Sequence, residues 1–143
     1  MSLQAKHQVP PVTKRYDLGA DFEAIAKADW AMLAINGDAI AGVAAMNYER
    51  GNRRARLEHL YVDRDRRGQG VGRRLVEAAL AAATAASYRC LWAETQTVNG
   101  AAIEFYQHLG WDWCGFDAAL YDPAKVAVEE VAVFFVRHLV AND

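Results

Sequence analysis

Three glycines, Gly68, Gly70 and Gly72, separate a strand-like segment from a helix-forming one, and this arrangement limits the local fold more than any other feature. Residues 57–62 are apolar-rich, as in a strand, whereas residues 75–83 are strong helix formers. Glycine permits positive φ and close approach of a ligand because it has no Cβ. The first turn of a helix leaves amide N–H groups unpaired, and the helix dipole favours anions there. The segment predicts a phosphate-binding turn; the alternative is a glycine-rich connection without a ligand.

Two common phosphate-binding patterns do not fit this loop. The P-loop requires a Lys after its second glycine, and the dinucleotide pattern requires a third glycine where Arg73 or Leu75 stands. What remains is Arg67-x-x-Gly70-x-Gly72. This pattern resembles the acetyl-coenzyme A loop of the GNAT superfamily of N-acetyltransferases.

The remaining chain alternates strand and helix signals. Asn36-Gly37-Asp38 predicts a hairpin between strands at 30–35 and 39–48, and a third strand is expected at 55–62. A helix at about 70–87, a strand at 88–94, a helix at 100–109, and strands at 111–121 and 126–139 follow. Residues 1–12 lack periodicity and are expected to be a flexible arm, with a single domain over 13–143. The prediction is an α/β fold with a mixed sheet, one parallel crossover and a helix on each face.

A second pattern, Asn99-x-x-Ala102-x-x-x-Tyr106-x-x-x-Gly110-Trp111, follows the fourth predicted strand. It resembles the second GNAT signature, with Trp111 in place of the usual phenylalanine. Taken singly, Asn99 would be read as a helix N-cap and Tyr106 as a half-buried aromatic residue. The two patterns in this order identify the chain as a member of the superfamily.

The resemblance extends to one branch of the superfamily, the streptothricin acetyltransferases, which acetylate an aminoglycoside-like nucleoside antibiotic. It rests on Leu57-Glu58-His59, Glu94-Thr95-Gln96 and Gly115-Phe116-Asp117-x-x-Leu120-Tyr121. Members of that branch have a further strand and helical region before the position where this chain starts. The resemblance therefore implies an N-terminally short GNAT fold. It also predicts an uncovered sheet edge near residues 30–35, which, with the continuous apolar run at 131–139, suggests a homodimer.

The charge distribution fits an anionic cofactor and a cationic substrate. Nine arginines lie between residues 50 and 74, whereas eight acidic residues lie from Glu94 to the end. Nucleic-acid binding is not expected, because only Tyr48 and Tyr61 lie near the arginines. No apolar run approaches the roughly 18 residues of a membrane span. Cys90 and Cys114 are expected to be buried free thiols, which favours a cytoplasmic location.

The resemblance implies acetyl transfer from acetyl-CoA to an amine, without a metal. Tyr106 would protonate the departing thiolate, and Glu58 or Glu94 would assist deprotonation of the amine. Glu94 and Asp117 are the expected anchors of a cationic acceptor. The expected cofactor-binding residues are those of the third strand, the glycine loop and the second signature: Leu60, Tyr61, Val62, Arg67, Gly68, Gln69, Gly70, Val71, Gly72, Asn99, Ala102 and Tyr106. Two alternatives stay open: a protein or peptide N-acetyltransferase, and a CoA-binding module without turnover.

Overall fold

The computed structural model describes residues 2–5, 21–125 and 130–140. Within these ranges, seven strands form one mixed sheet in the order β1-β2-β3-β4-β5-β7-β6. This confirms the predicted α/β mixed sheet. The elements in chain order are β1 (Ser2–Ala5), α1 (Asp21–Lys27), β2 (Trp30–Asn36), β3 (Ala39–Glu49), β4 (Arg54–Val62), α2 (Val71–Ala85), β5 (Cys90–Gln96), α3 (Gly100–His108), β6 (Asp112–Asp117) and β7 (Ala132–His138).

Strand β1 corrects the prediction for the start of the chain. It pairs antiparallel with β2, with Ser2 opposite Ile35 and Ala5 opposite Met32. The expected arm is therefore wrong over residues 2–5, and residues 6–20 of the predicted arm and domain lie outside the described residues. The predicted uncovered edge at β2 is also wrong, because β1 covers it. Pairing through that edge no longer supports a homodimer.

Helix α2 forms the centre of the main core. Its buried side chains recur at helical spacing (Val71, Leu75, Val76, Ala79 and Ala83). Small alanines let the helix approach the sheet closely. Leu75 is fully buried, so its truncation to alanine would cost about 2–5 kcal/mol.

The helices cover both faces of the sheet, but not in the expected distribution. Helices α2 and α3 share one core cluster, to which α3 contributes Tyr106. A separate cluster on the other face joins Ile25 of α1 to β2 and β3. The prediction of one helix on each face is therefore incomplete, since two helices cover one face and α1 covers the other.

Strand β4 separates from β5 after a short parallel ladder. The pairing runs only from Arg54 opposite Cys90 to Arg56 opposite Trp92. On its other side, β4 changes register against β3, because Leu57 and His59 face consecutive β3 residues and Glu58 is the extra residue. Such a bulge increases the local twist of a strand. The result is a gap between the two strands beyond Arg56 and Trp92.

Strand β7 lies inside the sheet, between β5 and β6. This position accounts for its continuous apolar run and removes the second reason for a homodimer. Strand β6 is the edge strand on this side of the sheet and ends at Asp117 rather than at residue 121. Its side chains Trp113 and Phe116 are exposed. Both cysteines are free as predicted, but Cys114 is exposed, so the expectation of two buried thiols is wrong for it.

Candidate active site

The glycine loop prepares the first turn of α2 to accept an anion. Gly68 and Gly70 both have φ of +80°, the left-handed region that favours glycine. Gly70 is the N-cap of α2 and has no side chain with which to cap it. The Arg74 amide donates the first helical bond to the Gly70 carbonyl at 3.1 Å. The amides of residues 71–73 therefore occupy the positions that a helix leaves without an intrahelical partner.

Gly72 has a different role from Gly70. A Cβ on Gly72 would lie 3.2 Å from Phe105 Cε1 and 3.4 Å from Val62 Cγ2, whereas one on Gly70 would meet no atom within 4 Å. Gly72 thus allows α2, α3 and the end of β4 to approach closely. Gly70 leaves open space beside the unpaired amides.

A cavity of about 580 Å³ lies between the first turn of α2, helix α3 and the end of β4. It brings together most of the predicted cofactor-binding residues: Leu60, Val62, Arg67, Gly68, Gly70, Val71, Gly72, Asn99, Ala102 and Tyr106. Arg66, which the sequence also places near the pyrophosphate, lines the cavity as well, and the sequence analysis missed five further lining residues: Arg73, Ala101, Phe105, His108 and Leu109. The arginine-rich composition of the loop and the helical spacing from Asn99 could have indicated them. Tyr61, Gln69, Glu58, Glu94 and Asp117 do not line the cavity.

Tyr106 is the buried phenol of this cavity. It is 6% exposed, and its ring packs on Phe105, Trp111 and Phe135 at centroid distances of 5.4, 4.9 and 5.7 Å. Among the described residues, none hydrogen-bonds to its hydroxyl. Burial raises the pKa of Tyr106 to about 12, because the phenolate would be poorly solvated. Tyr106 therefore holds its proton throughout the physiological pH range.

Asn99 has the capping role considered from the sequence and also faces the cavity. It is the N-cap of α3, and its Oδ1 accepts a hydrogen bond from the Ala102 amide at 3.1 Å. It also lines the cavity. At the other end of the helix Gly110 has φ of +79°, as expected of the residue that terminates a helix.

Tyr61 directs its side chain away from the cavity. Its hydroxyl donates to Asp21 Oδ2 at 2.7 Å. Burial, followed by this hydrogen bond, raises the pKa of Tyr61 to about 12. Only the backbone of Tyr61 can therefore contribute to the cofactor binding expected at residues 60–62.

The two candidate carboxylates lie on the opposite face of the sheet. Leu57 and Ala93 point into the core beneath α2 and α3, so their neighbours Glu58 and Glu94 point the other way. Arg56 lies between them, with Nη1 3.7 Å from Glu58 Oε1 and Nη2 3.4 Å from Glu94 Oε1. The sequence did not indicate this bridging residue, because Glu94 lies 38 positions from Arg56 in the chain.

Each carboxylate has a second partner. The Asn47 side-chain amide donates to Glu58 Oε2. The Tyr121 hydroxyl donates to Glu94 Oε2 at 2.8 Å and accepts from Gln96 Nε2 at 3.2 Å. These bonds fix both side chains in place.

Asp117 is not part of this group. Its Oδ1 accepts from the Ala119 amide at 2.9 Å, so it closes the turn that follows β6. Across β7, Asp117 is level with Gln96 rather than with Glu94. The carboxylate is exposed and can still accept from a ligand.

The site therefore has two sides, joined where β4 and β5 separate. One side offers unpaired amides, arginines and a protonated phenol. The other offers ionisable carboxylates held by neighbouring donors. Such an arrangement can bind a phosphate-bearing molecule on one face and a cation on the other, with the reacting atoms meeting in the gap.

The family model for acetyltransferases of the GNAT family matches residues 4–111. The chain belongs to this family. The streptothricin acetyltransferase of Streptomyces lavendulae is 36% identical, with 78% of this chain and 63% of that protein covered.

Two solved structures support the same relationship. A nourseothricin acetyltransferase is 34% identical and has a TM-score of 0.72, with 78% of this chain and 65% of that chain covered. A protein of Bacillus anthracis str. Ames, described as a streptothricin acetyltransferase and solved with acetyl coenzyme A, is 30% identical. It has a TM-score of 0.73, with 78% of this chain and 63% of that chain covered. The chain thus spans slightly less than two thirds of the length of these relatives.

Within the described part of the chain, no helix combines the length and apolar character needed to cross a bilayer. Over the same residues, no group of three or more histidine, cysteine, aspartate and glutamate side chains is arranged to hold a metal ion.

Proposed function

We propose that this protein is an acetyl-CoA-dependent N-acetyltransferase acting on a primary amine of a small cationic molecule of the streptothricin type. The observation that carries the proposal is the first turn of α2, whose unpaired amides open onto a cavity that reaches a buried, protonated tyrosine. The three relatives at 30 to 36% identity bear streptothricin-type names, which favours this acceptor over a protein or peptide.

The residues that line the cavity suit acetyl-CoA, which has a charged pyrophosphate and a long pantetheine arm. Residues 71–73 would donate amides to the pyrophosphate, and Arg66, Arg67 and Arg73 would supply positive charge beside it. The apolar side chains of Leu60, Val62 and Phe105 suit the pantetheine arm. Because a Cβ on Gly70 would lie in open space, the absence of one there gives the ligand room to approach.

When bound, acetyl-CoA supplies a thioester, whose acetyl carbon forms a bond to the amine nitrogen while the carbon–sulfur bond breaks. Tyr106 holds a proton at its hydroxyl that can pass to the departing sulfur, and the proton lost by the amine restores the balance through water. Glu58 or Glu94 assists the loss of that amine proton. Glu94 and Asp117 bind the cationic acceptor on the opposite face of the sheet.

The test is the transfer reaction itself. Purified protein is incubated with acetyl-CoA and nourseothricin, thiol release is followed, and the product is identified by mass spectrometry. We expect saturable release of one thiol per acetyl group transferred to nourseothricin. If peptide amines are acetylated and nourseothricin is not, the protein alternative is correct. Acetyl-CoA binding without transfer to any amine would support the non-catalytic module instead.

Two further properties are proposed, the oligomeric state and the location in the cell. A homodimer stays a prediction, although β1 and the position of β7 remove the reasons first given for it. A cytoplasmic location is proposed because acetyl-CoA is a cytoplasmic metabolite and both cysteines are free. Light scattering at micromolar concentration tests the prediction of a homodimer.

A further inference from the structure

Arg56 occupies the point at which β4 and β5 separate. It is opposite Trp92 in the last pair of their parallel ladder. Beyond this pair, no backbone pairing is recorded between the two strands in the described residues. A side chain at this point can therefore control what faces the gap from either strand.

The Arg56 guanidinium contacts one carboxylate from each strand. It lies 3.7 Å from Glu58 on β4 and 3.4 Å from Glu94 on β5. The side chains of Arg56, Glu58 and Glu94 are 34%, 34% and 20% exposed, so the group is only partly screened by water. Two carboxylates and one guanidinium give the group a net charge of −1.

Arg54 has an environment similar to that of Arg56, except that it does not contact Glu58 or Glu94. Both guanidinium groups lie over the Trp92 ring, at 4.6 Å for Arg54 and 4.9 Å for Arg56. Within the described residues, both have a buried Nε without a hydrogen-bond partner. Arg54, however, pairs with Glu49 at 3.2 Å, away from the candidate carboxylates.

We propose that Arg56 is a positioning residue for the transfer reaction: it holds Glu58 and Glu94 across the gap and offsets one of their two negative charges. This inference rests on the proposed function. An amine must be neutral to attack, and uncompensated negative charge nearby favours its ammonium form. Without Arg56, the two carboxylates would bind the cationic acceptor at least as well but would hold it in the unreactive form.

The test compares Arg56→Gln, Arg56→Lys and Arg54→Gln with the wild-type protein. The measured quantities are kcat and KM for nourseothricin, the Kd of acetyl-CoA and the melting temperature. For Arg56→Gln we expect kcat to fall about 10-fold. Each unit by which the pKa of the bound ammonium group rises reduces the fraction of neutral amine tenfold. The KM for nourseothricin should be unchanged or lower, and Arg56→Lys should recover most of kcat because it restores the charge.

Arg54→Gln provides the structural control, because it removes a comparable contact with Trp92. It should lower the melting temperature as much as Arg56→Gln but change kcat by less than about 2-fold. Equal losses of kcat in both variants, a raised KM with unchanged kcat, or no recovery in Arg56→Lys would each overturn the inference. If Arg56→Gln does not fold, Arg56→Met replaces it. Absence of wild-type turnover would refute the proposed function together with this inference, whereas normal turnover in Arg56→Gln would refute the inference alone.

Discussion

Replacing Tyr106 with phenylalanine removes one hydroxyl group from the wall of the cavity and keeps the ring. The ring packing on Phe105, Trp111 and Phe135 should therefore persist. No described residue hydrogen-bonds to the hydroxyl, so the substitution breaks no bond within the described structure. Because the ring stays in place and no hydrogen bond within the described structure is lost, the variant should be about as stable as the wild type.

The turnover number, in contrast, should fall. General-acid catalysis contributes about 10²- to 10⁴-fold, and kcat should fall within that range if the Tyr106 proton goes to the departing sulfur. The Kd of acetyl-CoA should be nearly unchanged, since the lost group acts in the transition state. A slower but equally stable enzyme is the expected signature. Tyr48→Phe is the control, because Tyr48 stacks on Tyr88 at 4.3 Å and does not line the cavity.

The raised pKa of Tyr106 makes the pH dependence of stability a second readout. The difference between the ordinary pKa of 10 and the value of about 12 corresponds to about 3 kcal/mol. Between pH 10 and pH 12, Tyr106 loses its proton in the unfolded chain but keeps it in the folded protein. This contribution to the free energy of unfolding is therefore present below pH 10 and is lost as the pH rises towards 12. Urea unfolding at alkaline pH should show a smaller loss in Tyr106→Phe than in the wild type. Wild-type kcat in Tyr106→Phe would refute the assigned role.

Two further substitutions test the two sides of the site. Gly70→Val should weaken acetyl-CoA binding at least about 10-fold in calorimetry. Gly37→Val is the control, because Gly37 also has a positive φ and open space around it. It should cost a similar strain energy of about 1–2 kcal/mol or more and leave acetyl-CoA binding unchanged. Equal affinities in both variants would contradict the role of Gly70. Glu94→Gln should lower kcat/KM for nourseothricin about 10-fold or more and leave the Kd of acetyl-CoA unchanged, with a smaller effect for Asp117→Asn. If both variants transfer acetyl at the wild-type rate, the carboxylate face does not bind the acceptor.

The sequence predicted the elements whose signals are local. The Asn36-Gly37 hairpin, the alanine-rich helix α2 and the Asn99 cap of α3 each depend on neighbouring residues, and each lies where it was expected. The cavity followed from the same signals, because loop, strand end and α3 are placed by their order in the chain. Local propensity was therefore sufficient for the elements that form this cavity, whereas binding of acetyl-CoA there stays a prediction from the family resemblance.

The failures concern long-range pairing. Strand β1 has only four residues and no periodicity of its own, and it is a strand because it pairs with β2. The Arg56 contact with Glu94 spans 38 positions and depends on where two strands separate. The residue types also did not indicate that Asp117 Oδ1 accepts from the Ala119 amide, because such a bond depends on the local backbone geometry; its role as an anchor of the acceptor stays a prediction.

The proposed transfer requires acetyl-CoA to bind at the first turn of α2, and amide NMR during a titration with acetyl-CoA observes that turn directly. The amides of Val71, Gly72 and Arg73 should shift together and saturate with the calorimetric Kd. The amides of Trp113 and Phe116, on the distant edge strand β6, should not move. Saturable binding that leaves the three α2 amides unchanged would contradict the site described for this protein.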